Sequence, residues 1–233
     1  MLSTDGTLDN LPGRLLLNHF RGRQTRGLEE AAELLASADP PIHAVAVSMD
    51  FDFARDGRAL AALREKARSD RLQLVAVGDE PSAGQRSAMR RAGVDFLLVE
   101  PATDTELRFL MNQAVWDTSK GNARSETRVP TNLVARVHSP AGMKVASVYN
   151  LSTTGAYLET PRPTQERNRV EVELPLPSGG LRLPALVVGT NVTGNLRRQN
   201  LPRGMSVRFD NPSRGDASAL AHFVDARVSS FKP

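Results

Sequence analysis

The predicted secondary structure changes character near residue 118, and this change constrains the fold more than any other feature. Before it, short apolar runs alternate with segments of helical periodicity, which favours a parallel sheet with helices on its faces. After it, short strands follow one another with turn residues between them, which favours a sandwich or barrel. At 233 residues the chain is long enough for two domains with separate cores.

We therefore predict an α/β domain at 14–117 and an all-β domain at 129–233, after a flexible tail at 1–13. The segment Thr118-Ser119-Lys120-Gly121-Asn122-Ala123 is polar and breaks both periodicities, so it is predicted to begin a linker that runs over 118–128.

In the first domain we predict strands at 14–19, 42–47, 72–77 and 94–99, each an apolar run bounded by turn or polar residues. The predicted helices are 25–38, 60–69, 82–92 and 103–115. Thr25 and Thr103 are the expected N-caps, and Gly93 is placed to end the third helix.

In the second domain we predict strands at 132–137, 143–149, 156–159, 169–174, 181–192 and 203–209. A last helix is expected after an N-cap at Ser213 or Asp216, with Leu220, Phe223 and Val224 on one side. These elements predict a small six-stranded antiparallel barrel with a closing helix.

Composition excludes several classes of site. The chain has no cysteine, which excludes disulfides, thiolate metal sites and cysteine nucleophiles. No apolar run approaches the roughly 18 to 20 residues of a membrane span, and no signal peptide is evident, so we expect a cytoplasmic protein. Residues 118–233 hold 16 Lys and Arg against 8 Asp and Glu, a net charge of +8, which suits an anionic ligand. A solvated basic surface and a nucleic-acid partner are the alternatives, although no aromatic stacking platform supports the latter.

Two short motifs stand at the start of the second domain. Asn150-Leu151-Ser152-Thr153-Thr154-Gly155 joins two predicted strands, and alone it predicts only a hairpin turn. Upstream lies Arg124-Ser125-Glu126-Thr127-Arg128, an R-x-x-x-R pattern that alone is typical of a solvated basic face. In this order and spacing the two motifs resemble those of the PilZ domain, the bacterial receptor module for cyclic di-GMP, and the resemblance extends over roughly 124–228.

The resemblance implies a cyclic di-GMP site formed by Arg124, Arg128, Asn150, Ser152 and Gly155. The planar guanidinium of Arg suits both halves of this ligand, because it donates in pairs to phosphate oxygens and to the O6/N7 edge of guanine. Asn150 and Ser152 would offer polar groups to a guanine, and Gly155 would let the main chain approach the ligand. No metal or further cofactor is implied.

The first domain resembles a truncated response-regulator receiver, a flavodoxin-like fold. The resemblance is closest over 92–101, which ends in Glu100-Pro101 where a receiver has Lys-Pro. Ser48 stands at the phospho-acceptor position and Gly78 near the Thr/Ser position, so phosphotransfer is not expected. Asp50, Asp52 and Asp56 are carboxylates that Mg²⁺ can use as ligands, although a loop decoration is the simpler interpretation. We interpret this domain as a pseudo-receiver that keeps a docking or dimerising surface.

These resemblances predict a cyclic di-GMP effector without enzymatic activity. Nucleotide binding would change the interdomain arrangement, or the contact of the pseudo-receiver with a regulatory protein of motility, polysaccharide or developmental control. A homodimer is compatible with this hypothesis. The alternative is a PilZ-like interaction adaptor that binds no nucleotide. An enzyme is disfavoured because the sequence shows no P-loop, catalytic triad or metal constellation.

Overall fold

The computed structural model describes residues 8–115, 126–194, 196 and 200–233. These residues form two compact units, the first comprising the described residues up to 115 together with Ser229–Pro233, and the second comprising 126–228. Each unit has its own hydrophobic core. Most of the predicted linker, 118–125, lies outside the described residues. No helix in the described part of the chain is long and apolar enough to cross a lipid bilayer.

The first unit is a three-stranded parallel sheet with helices, which confirms the predicted α/β class. Its strands lie side by side in chain order and are β1 (Ala44–Ser48), β2 (Gln73–Gly78) and β3 (Phe96–Val99). Its helices are α1 (Leu11–Leu17), α2 (Leu28–Ser37), α3 (Phe53–Lys66), α4 (Ala83–Arg91) and α5 (Asp104–Ala114). Leu60, Leu74, Met89 and Leu97 are fully buried between the sheet and the helices.

The start of this unit differs from the prediction. The run Arg14–His19 was expected to be a strand, but residues 11–17 form α1, with a proline in its first turn and Leu11 and Leu15 buried one helical turn apart. A short apolar run does not distinguish a strand from a buried helix face by its period. Leu8 is also fully buried, so the described part of the predicted tail is packed.

The helix caps are mostly as predicted. Thr103 caps α5 with a capping box to Glu106, because its hydroxyl accepts from the Glu106 backbone N–H while the glutamate side chain accepts from the Thr103 N–H. Thr25, by contrast, does not cap α2. The N-cap is Gly27, and Thr25 is buried two residues earlier.

Helix α1 is tied to the far end of β3 through one arginine. Arg14 donates to the Glu100 carboxylate at 2.7 Å, to the Asp104 carboxylate at 3.1 Å and to the Ala102 carbonyl at 2.6 Å. Glu100 therefore stands in a half-buried ion pair at the position where a receiver has lysine. This pairing compensates a carboxylate that would otherwise lack a cationic partner in a partly dehydrated site.

The second unit is a closed antiparallel barrel. Its strands are β4 (Val129–Pro130), β5 (Val134–Ser139), β6 (Gly142–Leu151), β7 (Gly155–Glu159), β8 (Arg169–Leu176), β9 (Gly179–Asn191) and β10 (Gly204–Phe209). Their order is β4-β6-β5-β8-β9-β10-β7, and an additional pairing of β6 with β7 closes the ring. Six strands thus form the predicted barrel, and the two-residue β4 extends beside the end of β6.

The barrel core follows from alternation along its strands. Val170, Val172 and Leu174 of β8 point inward at every second position and pack with apolar residues of the other strands. Helix α6 (Arg214–Phe231) adds Leu220 to the same core. Its start is the predicted one, because the Ser213 hydroxyl accepts from the Asp216 backbone N–H at 3.1 Å.

We predict that Arg14→Ala lowers the free energy of unfolding of the first unit by about 1–3 kcal/mol, because it leaves the Glu100 carboxylate half-buried and unpaired. Arg55→Ala is the matched control, since Arg55 is 81% exposed and its pair with Asp56 is 3.5 Å long. Amide hydrogen exchange of peptides from α1 and α5 in the full chain measures the effect. Equal protection in the two variants would contradict the role given to Arg14.

We also predict that Gly204→Ala destabilises the barrel by about 1–3 kcal/mol, because a Cβ atom there would overlap the carbonyl oxygen of Leu158 on the paired strand β7. Gly180→Ala is the control, since a Cβ at Gly180 meets no atom within 4 Å. Scanning calorimetry of both variants measures the difference. A loss of stability in Gly180→Ala as large as that in Gly204→Ala would show that the close approach is not the cause.

Candidate functional site

The segment Asn150–Gly155 is the hairpin turn that joins β6 to β7, as predicted. The Ser152 backbone N–H donates to the Gly155 carbonyl at 2.8 Å, and the Ser152 hydroxyl lies 3.1 Å from the same oxygen. The Thr154 N–H donates in turn to the Ser152 hydroxyl at 3.4 Å. Ser152 is fully buried, so its side chain acts within the turn and shapes it.

The two motifs meet because β4 pairs with the end of β6. Val129 lies opposite Leu151 and Pro130 lies opposite Asn150, which brings the preceding residue, Arg128, beside the turn. A guanidinium nitrogen of Arg128, Nη1, donates to Oδ1 of Asn150 at 2.9 Å. Two residues 22 positions apart in sequence, one from each motif, are therefore in direct contact.

A β-bulge determines which way Asn150 points. Val148 lies opposite Leu158 and Asn150 lies opposite the next residue, Tyr157, so Tyr149 is an extra residue in β6. Before the bulge Ala146 and Val148 face the core, and after it Leu151 does. The extra residue shifts the alternation by one position, so Asn150 faces away from the core and toward Arg128.

Tyr149 and Tyr157 form a buried pair behind this site. Their rings stack edge to face with centroids 5.8 Å apart, and neither belongs to the barrel core. The Tyr157 hydroxyl donates to the Pro202 carbonyl at 2.6 Å. Burial, reinforced by the nearby Glu159 carboxylate, raises the pKa of Tyr157 well above its ordinary value, so the hydroxyl keeps its proton and remains a donor.

Gly155 is required by the barrel itself. It lies opposite Arg208 of β10, and a Cβ atom at this position would overlap the carbonyl oxygen of Val207. The structure thus gives a packing reason for this glycine. Approach of a ligand to its main chain stays a prediction.

Glu126, in the middle of the R-x-x-x-R motif, also contacts the turn, and the sequence analysis assigned it no role. Its carboxylate accepts a hydrogen bond from the Thr154 hydroxyl and lies 3.3 Å from the Ser152 hydroxyl. Glu126 and Arg128 are two residues apart, the spacing at which side chains of an extended segment share a face. That spacing was the available signal in the sequence.

The serine and carboxylates singled out in the first unit take part in local hydrogen bonds. Ser48 is buried and its hydroxyl accepts from the Asp50 N–H at 3.2 Å, while Asp52 caps α3 by accepting from the Arg55 N–H at 3.0 Å. Asp56 lies on α3 beside Arg55. Among the described residues, no three His, Asp or Glu side chains are placed to share a metal ion. The loop interpretation is wrong for Asp56, which lies in the first turn of α3, and Asp52 is the N-cap of that helix.

Arg124, the remaining predicted site residue, lies outside the described residues. Its contact with a ligand therefore stays a prediction, as it does for the other four positions.

Comparison with known proteins assigns the second unit to a family. Residues 122–226 match the PilZ domain. No curated protein matches the chain. Similar solved structures include the PilZ domain of Escherichia coli YcgR with c-di-GMP, at 20% identity over 46% of this chain and 93% of that one, with a TM-score of 0.37.

Two further structures cover parts of the chain. The Bacillus subtilis inhibitor of motility MotI (DgrA) is 17% identical, with a TM-score of 0.39, over 46% of this chain and 52% of its own, so the match spans about half of MotI. The CheY-like protein TadZ of Pseudomonas aeruginosa is 23% identical, with a TM-score of 0.40, over 48% of this chain and 94% of its own. Residues 122–226 therefore contain a PilZ domain, which follows the three-stranded parallel α/β unit.

Proposed function

We propose that this protein is a cyclic di-GMP receptor whose ligand binds at the β6–β7 turn. The observation that carries the proposal is the 2.9 Å hydrogen bond between Arg128 and Asn150, because it joins the R-x-x-x-R and N-x-S-x-x-G motifs in one site. The solved structure of the YcgR PilZ domain, which is similar to part of this chain, contains this nucleotide. The excess of basic residues over 118–233 favours a ligand that carries two phosphates.

The geometry supports different roles for the predicted site residues. Arg128 is partly exposed, so its guanidinium is the group proposed for direct contact with guanine or phosphate. Asn150 is buried and accepts the hydrogen bond from Arg128, so it orients the guanidinium, and its own contact with a guanine is part of the proposal. Ser152 and Gly155 are buried in the turn and hold its shape. Arg124 is the second expected guanidinium, placed in the motif four residues before Arg128.

The consequence of binding is a change in what the protein contacts. The segment 118–128 carries both arginines and joins the two units, so a ligand that binds both arginines changes the interdomain arrangement or the binding of a regulatory protein. The receiver-like unit is the proposed surface for that partner. Leu16 and Leu17 of α1 support this assignment, because they are 69% and 75% exposed.

We expect Arg128→Ala and Arg124→Ala each to weaken cyclic di-GMP binding at least tenfold. The reason is that a hydrogen bond to a charged group contributes about 1.5–3 kcal/mol. Isothermal titration calorimetry of the full chain measures the affinity, with GTP and cyclic GMP as ligand controls.

Arg182→Ala is the matched protein control, because Arg182 pairs with Glu171 and Glu173 on the outer face of the barrel and its loss removes the same charge. Its affinity is expected to stay within about twofold of the wild type. An equal loss of affinity in all three variants would show that binding depends on the total positive charge and not on the proposed site. Absence of binding by the wild-type protein would favour the adaptor without nucleotide.

A further inference from the structure

The carboxylate of Glu126 occupies the polar edge of the same turn that the proposed ligand would use. It accepts from the Thr154 hydroxyl and lies beside the Ser152 hydroxyl. We infer that Glu126 is a built-in anionic competitor that sets the affinity of the site, and that the nucleotide must displace it. This inference rests on the proposed function and adds a residue that opposes binding.

The charge of Glu126 is what makes it a competitor. A carboxylate and a phosphate both present anionic oxygens that accept hydrogen bonds from hydroxyl groups. Thr154 can therefore serve either one, but not both at full strength. A carboxylate on the turn also repels a ligand that carries two negative charges, which lowers the affinity of the site while it remains there.

Displacing Glu126 leaves no buried polar group without a partner. The Ser152 hydroxyl has one proton to donate, and the Gly155 carbonyl already lies 3.1 Å from it, closer than the carboxylate at 3.3 Å. Thr154 is exposed, so water or the ligand can replace its carboxylate partner. The contact is therefore reversible at little cost, in contrast to the half-buried Arg14–Glu100 pair of the first unit.

Glu126 and Arg128 are coupled because they share one short segment. Arg128 is held by Asn150 and Glu126 by Thr154, so the segment is anchored to the turn at two points two residues apart. A ligand that engages both Arg128 and the Thr154 hydroxyl competes with the Glu126 carboxylate for that hydroxyl. The apparent association constant is then the intrinsic association constant multiplied by the fraction of molecules in which the turn is free of Glu126.

The test compares Glu126→Gln and Glu126→Ala with the wild type by calorimetry against cyclic di-GMP. Both variants are expected to bind about five- to tenfold more tightly than the wild type, which corresponds to a competitor bound in most ligand-free molecules. Glu166→Gln is the control, because it removes one carboxylate charge from the same unit, where Glu166 accepts from the Thr190 N–H. Its affinity is expected to change less than twofold.

A second readout needs no nucleotide. Amide hydrogen exchange over 126–128 in the ligand-free protein is expected to rise in Glu126→Ala and to stay unchanged in Glu166→Gln, because only the former loses an anchor of this segment. Tighter binding in both Glu126 variants together with faster exchange in Glu126→Ala supports the inference.

The failures of the two proposals are distinguishable. If the wild type binds the nucleotide and the Glu126 variants bind with equal or lower affinity, the competitor role is wrong and the receptor function stands. If the wild type shows no binding and Glu126→Ala does, the carboxylate blocks the site. If no protein binds, the proposed function fails and the competitor role fails with it.

Discussion

The pairing of β6 with β7 is the interaction on which the second unit depends, because it both closes the barrel and forms the turn that carries the candidate site. The same hairpin turn carries Asn150 and Ser152 and receives the segment that contains Arg128. Its glycine packs against β10, so the shape of the turn is enforced by the barrel on one side and by the hydrogen bonds of Ser152 on the other. A site on a closed, packed ring is held in place before any ligand arrives, which reduces the ordering cost of binding.

The β6–β7 turn contacts one positive and one negative side chain of the preceding segment. Arg128 places a guanidinium against Asn150, while the Glu126 carboxylate accepts from the Thr154 hydroxyl of the same turn. The first unit uses the opposite arrangement, in which Arg14 neutralises the Glu100 carboxylate in a half-buried cluster that ties α1 to the end of β3. The hydrogen bond between Thr154 and Glu126 is exposed and the ion pair between Arg14 and Glu100 is half-buried, so the second retains less water.

Much of the architecture could be predicted from the sequence. The periods of the apolar residues predicted the α/β unit and the six-stranded barrel, and Thr103 and Ser213 predicted helix starts because side-chain capping is a local interaction. The strand predicted at Arg14–His19 was wrong, because burial decides whether so short an apolar run is a strand or a helix. The N-cap predicted at Thr25 was also wrong, because Thr25 is buried within the unit and the N-cap of α2 is Gly27.

The candidate site was likewise only partly predictable from the sequence. By itself the sequence determined the chemistry of the two motifs and the presence of a turn, because residue types and their spacing are local properties. Only the tertiary structure decided that Arg128 touches Asn150 and that Glu126 lies on Thr154, because strand β4 must pair with the end of β6 to bring them together. The extra residue at Tyr149, which turns Asn150 away from the core, has no local signature, since a bulge is defined by the register of the neighbouring strand.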